Sequence, residues 1–161
     1  MNALTDRLKH VARRLQRSIE REERSPTGIV PDGETLQRRH CLHAVAVRLG
    51  FRSWPHATAV LQRTEPSDWG ILMYRDNAGM TNIWSATYDE ARNIHTRSGG
   101  FLLPYARQFQ IVEAPYIELL CLNPAHPDWD AIGRDWVQPK DPEAWERITA
   151  RRIDVVLSDD A

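Results

Sequence analysis

His95, Tyr105, Arg107, Gln108 and Glu113 form one compact set of side chains able to do chemistry. Arg107 can hold a carboxylate or a phosphate through its planar fork, and His95 or Glu113 can move a proton. The set is a site only where the fold closes it. Otherwise Arg107 and Glu113 are an ion pair across strands and His95 is a surface histidine.

His40 and His43 stand one helical turn apart, with Cys41 between them. Two imidazoles at that spacing can share a zinc ion, given further ligands such as Cys121 or His126. The helical HExxH pattern is not met, because no Glu follows the first His and the second comes one residue early. The run from Asp128 to Pro139 fails as a calcium loop: Ile132 stands fifth and Pro139 stands where a bidentate Glu is needed. Gly99-Gly100 lacks the Lys-Ser/Thr pair of a phosphate loop, and no G-x-S-x-G elbow occurs. No catalytic residue, metal or cofactor is assigned.

A second kind of chemistry is charge. Arg13, Arg14 and Arg17, with Arg38, Arg39 and Arg52 further on, can contact phosphates. Glu20, Glu22 and Glu23 dilute the first group into an ordinary solvated helix face. Six tryptophans are many for 161 residues. Trp54, Trp69 and Trp145 sit in apolar patterns and read as core. Trp129 and Trp136, among Pro, Asp and Gly, read as an exposed patch.

These groups need elements to position them. Leu4, Leu8, Val11, Leu15 and Ile19 recur at helical steps and predict a helix over 3–24. SPTGIVPDG (25–33) is a loop. A helix over 34–49 follows, with Gly50 at C′ and Phe51 folding back. Ser53 caps the next helix, Pro55 lies in its first turn, and it ends near Arg63. This pair reads either as a helix–turn–helix or as a plain helical hairpin.

After a boundary at 64–68, the pattern shortens. Strands are predicted over Trp69–Tyr74 and Met80–Trp84, joined by a turn at 76–79, with a third at Gln108–Val112. Helices are predicted over Ser85–Arg97, Tyr116–Leu122 and Pro142–Arg152. Ser98-Gly99-Gly100 stops the first of these, and Asp141 caps the last. Residues 123–140 read as a structured loop with one helical turn. Ile153–Leu157 is either more helix or a last strand, and 158–161 an acidic frayed tail.

The predicted architecture is α+β. A basic helical unit (1–63) packs as one globule on an acidic unit (64–161) with a small antiparallel sheet and several short helices. Net charge is −1, yet the first part holds 12 basic and 6 acidic residues and the second 9 and 16. Such a split fits an anionic partner for the first part or attraction between the parts. No apolar run approaches the roughly 20 residues of a membrane span, and the N-terminal residues form no signal core. Cys41 and Cys121 read as buried free thiols in a cytoplasmic protein.

His43-Ala44-Val45-Ala46 followed by Leu49-Gly50-Phe51-Arg52-Ser53-Trp54-Pro55-His56 resembles a helical module of small bacterial proteins, some of them grouped with the glyoxalase superfamily. Gly99–Tyr105 and Asp128–Val137 are similar to stretches of other bacterial proteins. The resemblance implies a bacterial, cytosolic protein and carries no activity, since a glyoxalase's metal-binding His and Glu framework has no counterpart here. The function expected is therefore a non-catalytic interaction or accessory protein that meets a protein partner or itself. Nucleic-acid binding through the six arginines is the alternative. An enzyme using His95, Arg107 and Glu113 is a further one.

Overall fold

The computed structural model describes residues 2–76 and 79–158. The fold is α+β, with seven helices and one three-stranded antiparallel sheet among the described residues. No described helix is long and apolar enough to cross a membrane. The chain forms two compact units, Met1–Glu65 and Pro66–Ala161.

The first unit is α1 (Ala3–Glu20), α2 (Arg38–Arg48) and α3 (Trp54–Leu61). Leu4, Leu8, Ala12 and Ile19 of α1 are buried, as are Cys41, Val45, Ala46, Ala57, Val60 and Leu61 from its neighbours. Asn2 closes the bundle: its side chain caps Leu4 N–H at 2.8 Å and donates to the Leu61 carbonyl at 2.7 Å. α2 begins at Arg38 rather than near residue 34, because Gln37 and His40 make a reciprocal capping box. Glu34 stays outside the helix and accepts from His40 at 3.0 Å.

The helix ends share one device. At Gly50 (φ 85°) the chain turns left-handed, Gly50 N–H bonds Val47 O, and Phe51 N–H reaches back to Ala46 O. Phe51 is buried against the helix it terminates. The same double bond closes α1 at Glu22 (φ 59°), α3 at Arg63 (φ 56°) and the later helix at Cys121 (φ 58°). Those three carry a Cβ in a region that penalises it. This is why α1 stops four residues short of the predicted end. It also moves Cys121, expected in a buried helical pattern, to an exposed position. Glu22→Gly is expected to stabilise the first unit by about 0.5–1 kcal/mol in urea unfolding. The same change at Glu20, inside α1, should lower stability by a similar amount.

The second unit holds β1 (Ile83–Ser85), α4 (Tyr88–Ser98), β2 (Phe101–Tyr105), β3 (Gln108–Val112), α5 (Ala114–Leu119), α6 (Pro127–Ala131) and α7 (Pro142–Ser158). Strand order is β1-β3-β2, all antiparallel. Leu102, Phe109 and Ile111 pack with Ala91 and Val137 on one face, with Trp69, Tyr88 and Ile94 at its margin. On the other, Gln110 donates to the Tyr116 hydroxyl at 3.2 Å and accepts from Asn82 at 3.0 Å. The Tyr116 hydroxyl also accepts from Arg75 N–H at 3.1 Å, and burial pushes its phenol up.

Several expectations change here. Trp69–Tyr74 is not a strand: Trp69 and Gly70 pair only with Ala106 at the β2–β3 tip, and Tyr74 N–H turns back to Ile71 O. The predicted hairpin is replaced by β1 on β3, and part of its turn (77–78) lies outside the described residues. β2 is an added strand. Ile153–Leu157 continues α7, while the rest of the acidic tail, 159–161, lies outside the described residues.

Trp129 and Trp136 are core, each 1 % exposed. The Trp136 ring lies 5.1 Å from Trp145 and 6.3 Å from Trp69, and its indole N–H donates to Thr149 at 3.1 Å. The Trp129 ring meets Phe101 edge-on at 5.1 Å. Their polar neighbours serve the turns rather than line an exposed patch. Trp145 is buried as expected, whereas Trp54 and Trp69 are half-buried.

α6 is clasped to α7 through Asp128, which accepts from Arg147 Nη2 at 2.9 Å, with Arg151 and His126 close by. The Arg147 hydrogen bonds hold the Asp128 carboxyl below its usual range. A lowered folded value contributes stability that is present above the ordinary aspartate pKa of about 3.9 and lost as pH falls through the lower one. Asp128→Asn should therefore destabilise by about 1–2 kcal/mol at pH 7. Urea unfolding repeated toward pH 2 should show wild type and variant converging.

Candidate functional site

β2 and β3 run antiparallel, so the hairpin separates the residues read as one constellation. Phe101 pairs with Val112 at one end and Tyr105 with Gln108 at the other. His95 and Glu113 border Gly100, at the first end. His95 Nε2 donates to Gly100 O at 3.0 Å, and Glu113 Oε1 lies 3.4 Å from where a Cβ on Gly100 would stand. Tyr105 and Arg107 lie at the tip, roughly 13 Å away by strand rise. Arg107 is exposed and Glu113, also exposed, is the N-cap residue of α5. His95 and Glu113, the candidate proton carriers, are thus parted from Tyr105 and Arg107. Sequence distance concealed this, because a hairpin brings residues equidistant from its tip together and parts the others.

What Tyr105 joins is aromatic. Its ring lies 4.5 Å from Tyr74 and 5.4 Å from Trp84. Trp84 and Ile83, on β1, are 44 % and 45 % exposed. β1 is an edge strand whose outer side meets no other strand among the described residues. The opposite edge is covered: Leu102 N–H donates to Arg134 O at 2.8 Å and Leu102 O accepts from Trp136 N–H at 3.0 Å. The uncovered edge escaped sequence reading because Ile83 and Trp84 look like core residues by type.

The six arginines all belong to the first unit and are all exposed. Arg13, Arg14, Arg17 and Arg38 have no ion-pair partner among the described residues. Arg39 is paired with Glu34 at 3.1 Å. At the start of α3, His56 Nδ1 accepts from Arg52 N–H at 3.0 Å and its ring packs edge-on against Phe51. The His56 ring is therefore engaged within the first unit. Among the described residues no group of three or more His, Cys, Asp or Glu is placed to hold a metal ion. His40 is buried in its capping role while His43 is exposed. Burial, with Glu20 near, pushes the Cys41 thiol up, which suppresses thiolate chemistry.

No family model, curated protein or solved structure matches this chain. Surface and site chemistry therefore carry the functional reading.

Proposed function

We propose that the chain is a non-catalytic interaction protein of the bacterial cytoplasm, and that it receives an extended segment of a partner protein along β1 beside Trp84. The placement of exposed apolar surface carries this reading. Large apolar side chains exposed among the described residues are Val47, Ile71, Met80, Ile83 and Trp84, and four of these five fall within 71–84. Ile83 and Trp84 stand next to each other on the open edge strand, where exposed apolar side chains mark a surface a partner can cover. An open strand edge supplies main-chain donors and acceptors, and flanking apolar side chains supply specificity. A three-residue strand offers few main-chain bonds, so the partner segment would also cover Trp84 and Met80. The free thiols Cys41 and Cys121 suit a reducing compartment. The bacterial source rests on the resemblance of the 43–56 module.

The test is affinity capture from a bacterial extract with wild type, an Ile83→Ala/Trp84→Ala pair and Val47→Ala. A discrete protein retained by wild type and by Val47→Ala, and lost from the pair, supports the reading. Identical retention by all three contradicts it.

Nucleic-acid binding is a second reading, favoured by the unpaired Arg13, Arg14, Arg17 and Arg38. Fluorescence anisotropy with single- and double-stranded DNA should then show binding that weakens steeply with salt. It should be lost when Arg13, Arg14 and Arg17 become Glu. No binding at low salt removes this reading.

A further inference from the structure

A cleft of about 480 Å³ opens in the second unit between the C-terminal half of α4, the Gly99-Gly100 turn and the loop that leaves α6. Its charged lining is Arg92, Arg134 and Lys140 against Asp135, with His95 beside them. A net positive wall is unexpected here, because residues 64–161 carry 9 basic and 16 acidic side chains.

The three cations outnumber the one carboxylate. Asp135 Oδ2 accepts from the Tyr88 hydroxyl at 2.5 Å, and Oδ1 accepts from the Val137 and Gln138 amides, both at 2.9 Å. These bonds hold Asp135 to Tyr88 and to its own loop, and Asp135 is itself buried. Arg134 is anchored, with Nε donating to Asp130 at 2.9 Å and its guanidinium 5.1 Å over the Phe101 ring. Arg92 and Lys140 are exposed and have no ion-pair partner among the described residues. His95 donates from Nε2 to Gly100 O, which in the neutral ring leaves Nδ1 as an acceptor. Gly100, at the cleft's edge, packs its backbone on β3: a Cβ there (φ 81°) would stand 2.7 Å from the Val112 carbonyl.

We propose that this cleft binds a small phosphorylated molecule, with Arg92 and Lys140 taking the phosphate and His95 beside them. Two unpaired cations suit a dianion better than a single carboxylate. The volume exceeds that of bare phosphate and falls in the range of pockets that enclose a small organic ligand. The cleft and the β1 edge use different residues, so this proposal stands apart from the docking reading.

The test is an NMR titration of the full ¹⁵N-labelled chain with inorganic phosphate and with glycerol 3-phosphate. Sodium chloride and succinate at matched ionic strength serve as comparisons. The proposal predicts saturable shifts of the Gly99, Gly100 and Gly133 amides with both phosphates, tighter for glycerol 3-phosphate. Arg92→Ala/Lys140→Ala should weaken binding roughly tenfold or more. Both residues are exposed, so the pair should leave the remaining spectrum unchanged. Arg97→Ala/Arg107→Ala, equally exposed but outside the cleft, should bind as wild type. No saturable shift, an equal or larger response to succinate, or undiminished binding by the Arg92/Lys140 pair would overturn the proposal.

Discussion

Trp145→Ala is expected to lower the stability of the second unit by about 3–5 kcal/mol. The ring is 1 % exposed and sits 5.1 Å from that of Trp136. Its indole N–H donates to the Trp136 carbonyl at 2.9 Å. Truncation opens a cavity too large for α7 to close and leaves that carbonyl without its donor. Trp145→Phe fills most of the space but still lacks the N–H, so a smaller loss of about 1–2 kcal/mol is expected. Urea unfolding followed by circular dichroism measures both. Trp84→Ala, on the exposed edge, should cost under about 1 kcal/mol. If it cost as much as Trp145→Ala, Trp84 would be a core residue and the edge would not be available to a partner.

Arg152→Met should cost about 2–4 kcal/mol. Arg152 is 6 % exposed, with Nε donating to Leu72 O at 2.9 Å and Nη1 to Leu120 O at 2.8 Å. One guanidinium thereby ties α7 to the 71–74 turn and to the end of α5. Methionine preserves length and apolar stem but leaves two inward-facing carbonyls without these donors. Arg152→Lys keeps the charge and can reach only one of them, so about half the loss should remain. Amide hydrogen exchange across 71–76 should accelerate in both variants before exchange within α6. Unchanged protection there would mean that Arg152 does not hold the turn.

The helical frame was legible because it is written in local chemistry. Gly50 marks a left-handed turn, Ser53 and Asp141 accept from the amides that open their helices, and α1 repeats its apolar residues on one face. The misread segments depend on distant partners. WGILMY has strand composition, yet Trp69 and Gly70 pair only with Ala106, and Tyr74 N–H turns back to Ile71 O, so no ladder forms along it. β2 was hidden by Gly100 before it and by Pro104 within it, a residue tolerated because β2 is an edge strand. The left-handed helix ends at Glu22, Arg63 and Cys121 carry no glycine and so give no sequence signal.

The candidate site was less legible. His95 was singled out and does line the cleft, but its companions Tyr105 and Arg107 lie at the far end of the hairpin. Arg92 and Lys140 are ordinary surface residues in sequence, and only the return of the 133–140 loop past α4 brings them to one cleft. Trp84 is distinguished from the other five tryptophans by the order of strands, which leaves β1 at the edge.

The most direct test of the docking account is photo-crosslinking in bacterial cells, with p-benzoylphenylalanine replacing Trp84 in one chain and Arg97, exposed on α4, in another. The account predicts a discrete adduct with a different protein at position 84 and none at 97. It also predicts that an added Ile83→Pro change suppresses the adduct. No adduct at 84, or only the mass of two copies of this chain, would contradict it.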